Sequence, residues 1–366
     1  MLIRAAVSNG HSDHLEIDEI EIGEPRDDEL LVKLVATGIC HTDLKQLGSS
    51  SLVPRPVVLG HEGAGVVTRV GARVSRFAPG DHVVMSVNSC GVCRSCQEHL
   101  PGYCVEVGAR NFSGKRPDGS TSLSSKRGPI FSHFFGQSSF ATHAICTERN
   151  AVRVTKDLPL KLLGPLGCGV QTGAGSVLNQ FRIQPGQSFV VFGAGAVGMS
   201  AIMAAHLSGA NPIIAVDKVA VRLSLARELG ATSVINASHD DVVARIRSET
   251  GGGADFALDT TGSTAVFEQA MEALGPQGTC GLLATPVGSK TLSFAASPLI
   301  LGGKTVQGIV QGSSDPQRFI PAMIDLYRAG RLPFDKLLRF YPFESINQAI
   351  EDAHSGEAVK PVLLFD

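Results

Sequence analysis

The chain contains 366 residues, of which 43% are hydrophobic and 18% are charged. This composition is typical of a globular protein with a packed core and excludes a disordered chain. The formal net charge of −2 provides no basic footprint for nucleic acid or for an anionic membrane surface, so neither is expected as a partner.

The N-terminal part of the chain is predicted to be rich in short strands. Met1–Val7 lacks a basic region followed by an apolar stretch, so no signal peptide is predicted, and a soluble, cytoplasmic protein is expected. Leu30–Ala36 and Gly63–Val70 are rich in Val, Leu and Ala and are bounded by turn residues, which indicates strands. Residues 105–139 are polar, contain Gly and Ser, and are predicted to form one long loop.

Three residues indicate an open metal site. Cys40 lies in Gly-Ile-Cys-His-Thr-Asp, His61 in Gly-His-Glu, and Cys168 in Gly-Cys-Gly-Val-Gln-Thr-Gly. Two cysteines and one histidine, with a water or an alcohol as fourth ligand, form a known catalytic zinc arrangement. Taken singly, a Cys or a His is more often a packed core residue than a ligand, and no local spacing connects these three.

Four further cysteines are spaced C-x2-C-x2-C-x7-C in a lobe of about residues 88–106: Cys90, Cys93, Cys96 and Cys104. Four thiolates so close in sequence favour a closed tetrahedral zinc site, which is structural because it leaves no position for a substrate. An iron–sulfur cluster and disulfides are the competing interpretations.

From about residue 188 onward, short apolar strands are predicted to alternate with helices, which indicates a doubly wound parallel sheet. The predicted elements are strands at Ser188–Phe192, Pro212–Val216, Ser233–Asn236, Phe256–Asp259 and Thr279–Leu283, and helices at Val197–Ser208 and Val219–Leu229. A membrane helix over Phe189–Ala205 is disfavoured because glycines interrupt that run. A helix at Pro316–Ala329 and a strand at Val362–Phe365 are expected to complete the N-terminal domain.

A glycine-rich turn after the first of these strands indicates a dinucleotide site. Gly193, Gly195 and Gly198 fit G-x-G-x-x-G between a strand and a helix, where they allow the tight turn, the approach of the pyrophosphate and close packing. Asp217 ends the next strand, where a carboxylate binds the adenosine ribose of NAD and repels the 2′-phosphate of NADP. A glycine turn with an unrelated Asp is the alternative interpretation.

Two basic residues follow Asp217. Lys218 and Arg222 are candidates to help hold the adenosine ribose, and a solvated surface charge is the alternative for each.

In their order and spacing, these motifs resemble the zinc-containing medium-chain alcohol dehydrogenase family, and within it aryl-alcohol (benzyl alcohol) dehydrogenases. The resemblance extends from about residue 20 to the C-terminus. It implies an α/β fold of two domains. One is a GroES-like, β-rich catalytic domain formed by residues 1–169 and 310–366, and the other is a Rossmann NAD-binding domain formed by residues 170–309.

The resemblance implies roles at the open metal site, and two zinc ions and NAD as cofactors. Cys40, His61 and Cys168 match the ligands of the catalytic zinc. Asp43 matches the carboxylate that orients the zinc-bound histidine, and Glu62 matches an acid near the metal.

The resemblance also implies roles around the substrate and the cofactor. Thr42 matches the hydroxyl that takes the alcohol proton. His41 and Lys360 match contacts to the cofactor pyrophosphate, and Thr172 and Val197 match residues that pack against the nicotinamide.

Two features concern the substrate and the proton path. Phe134 and Phe135 match substrate-pocket positions, where aromatic walls suit a flat apolar alcohol, with core packing as the alternative.

Lys45 stands where many family members carry the histidine that ends the proton relay. An exposed lysine without a catalytic role is the favoured interpretation, although burial would lower its pKa and suit it for the relay.

The predicted activity is reversible, zinc-dependent and NAD-linked oxidation of a primary, aromatic alcohol to the aldehyde. Alternatives are an aliphatic alcohol dehydrogenase, an NADPH-dependent aldehyde reductase, a non-catalytic NAD-binding scaffold and a zinc-ribbon interaction module. A small-molecule alcohol or aldehyde is the expected partner, and the family resemblance suggests a homodimer or homotetramer.

Overall fold

The computed structural model describes residues 1–10, 14–47, 51–284, 291–293 and 295–366. The strands in this part of the chain are β1 (Leu2–Ser8), β2 (Glu16–Ile22), β3 (Glu29–Gly38), β4 (Val57–Val58), β5 (Glu62–Val70), β6 (His82–Met85), β7 (Leu123–Ser125), β8 (Gly128–Ile130), β9 (His143–Thr147), β10 (Ala151–Arg153), β11 (Phe189–Phe192), β12 (Ile213–Asp217), β13 (Ser233–Asn236), β14 (Ala254–Asp259), β15 (Leu274–Leu282), β16 (Thr305–Gly308), β17 (Leu338–Pro342) and β18 (Lys360–Leu364).

The α-helices are α1 (His41–Leu47), α2 (Arg94–Gln97), α3 (Val107–Phe112), α4 (Gly169–Gly175), α5 (Ala196–Ser208), α6 (Ala220–Glu228), α7 (Val242–Glu249), α8 (Thr264–Ala273), α9 (Ala296–Gly302), α10 (Pro316–Arg328) and α11 (Ile346–Ser355). None of the helices in these described segments combines the length and the apolar character needed to cross a lipid bilayer.

The chain folds as two compact units. The first contains Met1–Gly169, Ser314–Ile324 and Asp335–Asp366, and the second contains Val170–Ser313 and Asp325–Phe334. The C-terminal segment therefore does not return to the first unit as a whole. Helix α10 is divided between the units, since its last residues group with the second, where the rings of Tyr327 and Phe334 lie 4.6 Å apart.

The first unit is built from two sheets. One has five strands in the order β4-β1-β2-β7-β8, and the other has seven, in the order β10-β6-β5-β3-β18-β17 with β9 paired to β3. Strand β18 pairs antiparallel with β3 and parallel with β17, so the C-terminal strand lies inside the larger sheet. A large apolar core, which includes Ile20, Val58 and Phe140, fills this unit.

The second unit contains a six-stranded parallel sheet in the order β13-β12-β11-β14-β15-β16. This is the doubly wound order in which the first strand lies beside the second and the fourth. Strand β11 consists of Phe and Val and is fully buried, as expected for a central parallel strand covered on both faces. The predicted doubly wound sheet is confirmed.

The prediction of one long loop over residues 105–139 is wrong. The segment contains α3 and the hairpin of β7 and β8, and β7 pairs with β2. Strands of three residues are too short to show an alternating apolar pattern, so the pairing of β7 with β2 and of β8 with β7 decides their conformation. Helix α3 is tied down by Asn111, whose Nδ2 donates to the carbonyls of Asn88 and Val107.

Candidate functional site

The pairing of β3 with β5 brings Cys40 and His61 together. Gly38, at the end of β3, is opposite Glu62, at the start of β5, so the residues just beyond them meet at one edge of the sheet. Cys168 reaches the same place on a turn whose Gly164 and Gly167 lie against β5 and β6. A Cβ on Gly164 would lie 2.4 Å from the Glu62 carbonyl oxygen, and one on Gly167 2.2 Å from that of Met85.

The candidate ligand atoms of this cluster suit a metal. Four residues each offer one ligand atom, and these atoms all lie within 4.8 Å of one another: Cys40, His61, Glu62 and Cys168. His61 Nε2 is 3.3 Å from Cys168 Sγ. Zinc bonds of about 2.0–2.3 Å to N and S ligands give tetrahedral edges of about 3.5 Å, so the spacing fits zinc.

Asp43 holds the ligand residues in place. Its Oδ1 lies 2.8 Å from His61 Nδ1 and accepts from Gly60 N–H at 3.1 Å, and its Oδ2 accepts from Cys40 N–H at 2.9 Å. Burial by itself lowers the pKa of His61, but the charge and hydrogen bond of Asp43, with Cys40, raise that pKa well above its usual value. Because Asp43 contacts Nδ1 of His61, the Nε2 atom of His61 is directed at the candidate metal ligands.

Glu62 and Lys360 form a buried ion pair beside the cysteines. Lys360 Nζ lies 2.9 Å from each Glu62 carboxylate oxygen and donates to the Ile39 carbonyl at 3.1 Å. Burial alone would lower the pKa of Lys360, but the charges of Glu62, Cys40 and Cys168 raise it above its usual value. Lys360 remains predicted to contact the pyrophosphate, and the structure places its side chain, which is 3% exposed, beside the metal cluster.

The four-cysteine lobe has the geometry of a tetrahedral metal site. Cys93 Sγ and Cys96 Sγ are 3.6 Å apart, and Cys90 Sγ and Cys96 Sγ are 3.9 Å apart. A tetrahedron with zinc–sulfur bonds of about 2.3 Å has edges of about 3.8 Å, whereas a disulfide has sulfurs about 2.05 Å apart. All four cysteines are free thiols, so the disulfide interpretation does not apply.

Main-chain N–H groups donate to the sulfurs of this lobe and lower the pKa of Cys93, whereas burial raises the pKa of Cys104 to about 12. Cys90 Sγ accepts from Cys93 N–H at 3.3 Å, and Cys104 Sγ accepts from Cys90 N–H at 3.2 Å. Backbone N–H groups of Cys96 and Val105 lower the pKa of Cys93 to about 6. Thiolates are the ligand form that zinc binds.

The second unit contains the glycine turn. Gly193 has a φ of +96°, and a Cβ on Gly198 would lie 1.9 Å from the Gly193 carbonyl oxygen, so both positions require glycine. Gly195 precedes the first residue of α5, and a Cβ there would meet nothing within 4 Å. The open space at a helix N-terminus fits a pyrophosphate. Asp217 Oδ2 accepts from Ala194 N–H at 2.7 Å, so this carboxylate lies at the turn.

The remaining predicted residues are placed as follows. Thr42 Oγ1 lies 3.8 Å from Cys40 Sγ, and Lys45 is an exposed residue of α1. Lys218 is exposed, and the buried Arg222 Nε has no hydrogen-bond partner among the described residues. Thr172 lies on α4 and Val197 on α5, both in the second unit.

Phe134 and Phe135 pack against the ring of His61. The His61 ring centroid is 5.6 Å from that of Phe134 and 4.5 Å from that of Phe135, which stacks on it. The two phenylalanines are 0% and 7% exposed and belong to the apolar core of the first unit. Their observed packing is that of core residues beside a candidate ligand.

Sequence reasoning missed two contacts at this site. The Glu62–Lys360 pair joins residues 298 positions apart, and the rings of His41 and His354 lie 6.5 Å apart in an edge arrangement. No local sequence pattern predicts such pairs, because α11 and β18 are far in sequence from the residues that they contact.

Comparison with known proteins agrees with this geometry. Residues 26–156 match the alcohol dehydrogenase GroES-like domain, and residues 196–328 match the zinc-binding dehydrogenase family. The chain is 44% identical to a geraniol dehydrogenase from Castellaniella defragrans over 364 residues, which cover 99% of this chain and 97% of that protein.

Two solved structures are also similar. A structure described as an alcohol dehydrogenase zinc-binding domain protein from Burkholderia ambifaria is 51% identical, with a TM-score of 0.97 and coverage of 100% of this chain and 99% of that chain. A benzyl alcohol dehydrogenase from Acinetobacter calcoaceticus is 47% identical, with a TM-score of 0.96 and full coverage of both chains.

The protein is an alcohol dehydrogenase with a GroES-like domain and a Rossmann domain, as predicted. The chain belongs to the zinc-binding medium-chain alcohol dehydrogenase family. Zinc and NAD are consistent with this family and with the two clusters and the glycine turn described above.

Proposed function

We propose that the protein catalyses the reversible, NAD-linked oxidation of primary alcohols whose CH2OH group is attached to an sp² carbon, that is, benzylic or allylic alcohols. The observation that carries the activity is the convergence of Cys40, His61 and Cys168, held by Asp43. A ligand set of two thiolates and one imidazole leaves one position at a zinc ion for the alcohol oxygen.

Each residue of the first unit has a defined task in this proposal. Cys40, His61 and Cys168 hold the catalytic zinc, and Asp43 fixes the orientation of the His61 ring. Thr42 provides the hydroxyl that takes the alcohol proton. When bound, zinc supplies a Lewis acid for the alcohol oxygen and NAD supplies the hydride acceptor. The second zinc is held by the four-cysteine lobe.

The glycine turn and its neighbours support NAD as the cofactor. Asp217 lies at the turn, where its charge favours a ribose with free hydroxyls over a 2′-phosphate. The further residues proposed to bind the cofactor are His41, Thr172, Gly193, Gly195, Val197, Gly198, Lys218 and Arg222.

The substrate class rests on the relatives, because Phe134 and Phe135 pack as core residues against the His61 ring and leave little surface for a substrate. Benzyl alcohol and geraniol, named for the two similar enzymes, both carry CH2OH on an sp² carbon. Oxidation of such alcohols produces a conjugated aldehyde.

Initial rates with benzyl alcohol, geraniol and ethanol, each with NAD and with NADP, test the proposal. We expect kcat/KM for benzyl alcohol and geraniol to exceed that for ethanol by at least about tenfold, the factor expected from burying a larger apolar group. A preference for ethanol would overturn the substrate class. A preference for NADP would overturn the role of Asp217.

We also propose that the protein forms a homo-oligomer through the second unit. Strand β16 is at the edge of the parallel sheet and pairs only with β15 among the described strands. Nearby in sequence, Ile300 and Leu301 are 74% and 85% exposed. An open strand edge next to exposed apolar side chains favours association.

A further inference from the structure

The first two peptide groups of the glycine turn are held at their N–H ends by the end of β12. Gly193 N–H donates to the Val216 carbonyl at 2.8 Å. Ala194 N–H donates to Asp217 Oδ2 at 2.7 Å, and the other carboxylate oxygen, Oδ1, accepts from Val219 N–H at 2.9 Å. The orientation of the Asp217 carboxylate therefore depends on the direction of the Gly193–Ala194 peptide group.

The carbonyl ends of the same two peptide groups are held from the opposite side by Thr260. This residue follows β14, which pairs with β11 on the side away from β12. Thr260 Oγ1 lies 2.9 Å from the Phe192 carbonyl oxygen and 3.2 Å from that of Gly193, so its hydroxyl is placed to donate to both carbonyls. Thr260 N–H also donates to the Phe192 carbonyl at 3.0 Å. One residue therefore fixes the carbonyl ends of both peptide groups.

Thr260 is itself fixed in position. The carboxylate of the preceding residue, Asp259, is buried and accepts from the N–H and from the hydroxyl of Thr261, each at 2.7 Å. These bonds close the turn that carries Thr260. The Thr260 hydroxyl also packs directly on Gly193, where a Cβ would lie 2.4 Å from Thr260 Oγ1. The hydroxyl therefore has a defined place against the glycine turn.

The geometry of the peptide bond links the two sides of the turn. A trans peptide group is planar, so its C=O and its N–H point in opposite directions. A donor that holds the Gly193 carbonyl on the β14 side therefore keeps the Ala194 N–H directed at Asp217 on the β12 side. Without the Thr260 hydroxyl, this peptide group is free to tilt, and the Asp217 carboxylate loses the N–H that orients it.

We propose that Thr260 is a positioning residue for the choice of cofactor. Through the Gly193–Ala194 peptide group, its hydroxyl holds the Asp217 carboxylate in the orientation that favours the ribose hydroxyls of NAD over the 2′-phosphate of NADP. The inference rests on the proposed binding of NAD at the glycine turn. Thr260 acts without touching the adenosine ribose, because hydrogen bonds carry its effect from β14 across β11 to β12.

Fluorescence titration of the zinc-loaded enzyme with NADH and with NADPH tests the proposal. The ratio of the two Kd values isolates the contribution of Asp217. A turn that is merely distorted weakens both dinucleotides equally, since both carry the same pyrophosphate, and leaves this ratio unchanged. Thr260→Val keeps the shape of the side chain and removes the hydroxyl. We expect it to reduce the preference for NADH over NADPH by about fivefold, an effect typical of one hydrogen bond.

Two further variants serve as controls. Thr260→Ser keeps the hydroxyl and should retain the wild-type preference for NADH. Thr250→Val is matched to Thr260→Val, because Thr250 is also half-buried and its hydroxyl donates to the Ile246 carbonyl, at 2.7 Å, just after α7. This variant loses a hydrogen bond of the same kind away from the glycine turn, so the ratio of the two Kd values should not change.

Thr260→Ala removes the same hydroxyl without introducing a second methyl group, and it should reduce the preference for NADH as Thr260→Val does. A wild-type ratio in either variant, or an equal loss of preference in Thr260→Ser, would overturn the proposal. Near-UV circular dichroism verifies that each variant is folded. If the wild type itself binds NADH no more tightly than NADPH, the proposed role of Asp217 is wrong, and the inference about Thr260 is wrong with it.

Discussion

At the scale of single residues, the ion pair of Glu62 and Lys360 is costly to break. Both side chains are at most 3% exposed, so removing one partner leaves an uncompensated charge in the core. Lys360→Met should lower the free energy of unfolding by about 3–5 kcal/mol, measured by urea denaturation of the zinc-loaded enzyme.

The double variant Glu62→Gln/Lys360→Met serves as the control for this prediction. Because it removes both charges, it should recover more than half of the lost stability. A double variant as unstable as Lys360→Met alone would show that packing of the lysine stem, and not the buried charge, is responsible.

Asp43 provides a second prediction at this scale. Asp43→Asn keeps the size of the side chain but removes the charge that holds His61 Nδ1 and supports the imidazole as a ligand. Zinc content should fall from two ions towards one per chain, and kcat/KM should fall by about 10–100-fold. Elemental analysis and initial rates measure the two effects.

The matched control for Asp43→Asn is the same change at the exposed Asp27, whose side chain is 66% exposed. Asp27→Asn should retain both zinc ions and full activity. An Asp43→Asn protein with two tightly held zinc ions would contradict the role assigned to the carboxylate.

At the scale of elements, two glycines of the turn between β11 and α5 should respond differently to one added methyl group. Gly195→Ala places its Cβ in open space and should leave Tm nearly unchanged while weakening NAD binding by at least about tenfold. Gly198→Ala places its Cβ 1.9 Å from the Gly193 carbonyl oxygen and should lower Tm.

Thermal unfolding without cofactor, together with fluorescence titration with NADH, separates the two effects. The prediction fails if Gly195→Ala binds NADH as well as the wild type does, because the space beside Gly195 would then not be used by the cofactor.

The elements differ in how well the sequence predicts them. Strand β11 and helix α5 were predicted to within a residue, because an apolar run followed by a glycine turn has few alternatives. Strands β7 and β8 were missed, because three residues each carry too little local signal and their conformation depends on the pairing of β7 with β2 and of β8 with β7.

The residues of the candidate site also divide into those that local motifs predict and those that long-range strand pairing places. The ligands Cys40, His61 and Cys168 were indicated by motifs that resemble a known family. The position of Lys360 depends on the register between β18 and β3, a long-range property that no local motif encodes.

At the scale of the whole molecule, the proposed association through the second unit can be tested at its exposed apolar residues. Leu301→Glu should shift the protein towards a monomer, because a buried charge without a partner opposes assembly. Sedimentation velocity measures the shift. Leu52→Glu changes a leucine of the first unit that is 70% exposed and should leave the oligomeric state unaltered. Equal sedimentation of the wild type and Leu301→Glu would place any interface elsewhere.

The position of β18 in the larger sheet has a consequence for the order of events during protein synthesis. All residues of the second unit precede Lys360, so that unit can fold while the rest of the chain is still being translated. The four-cysteine lobe, whose ligands lie close together in sequence, can also capture its metal early. Cys40 and His61 emerge early too, but Glu62 lacks its counter-charge until Lys360, 298 residues later in the chain, has been synthesised. Loading of the catalytic metal is therefore expected to be completed only after β18 has emerged from the ribosome.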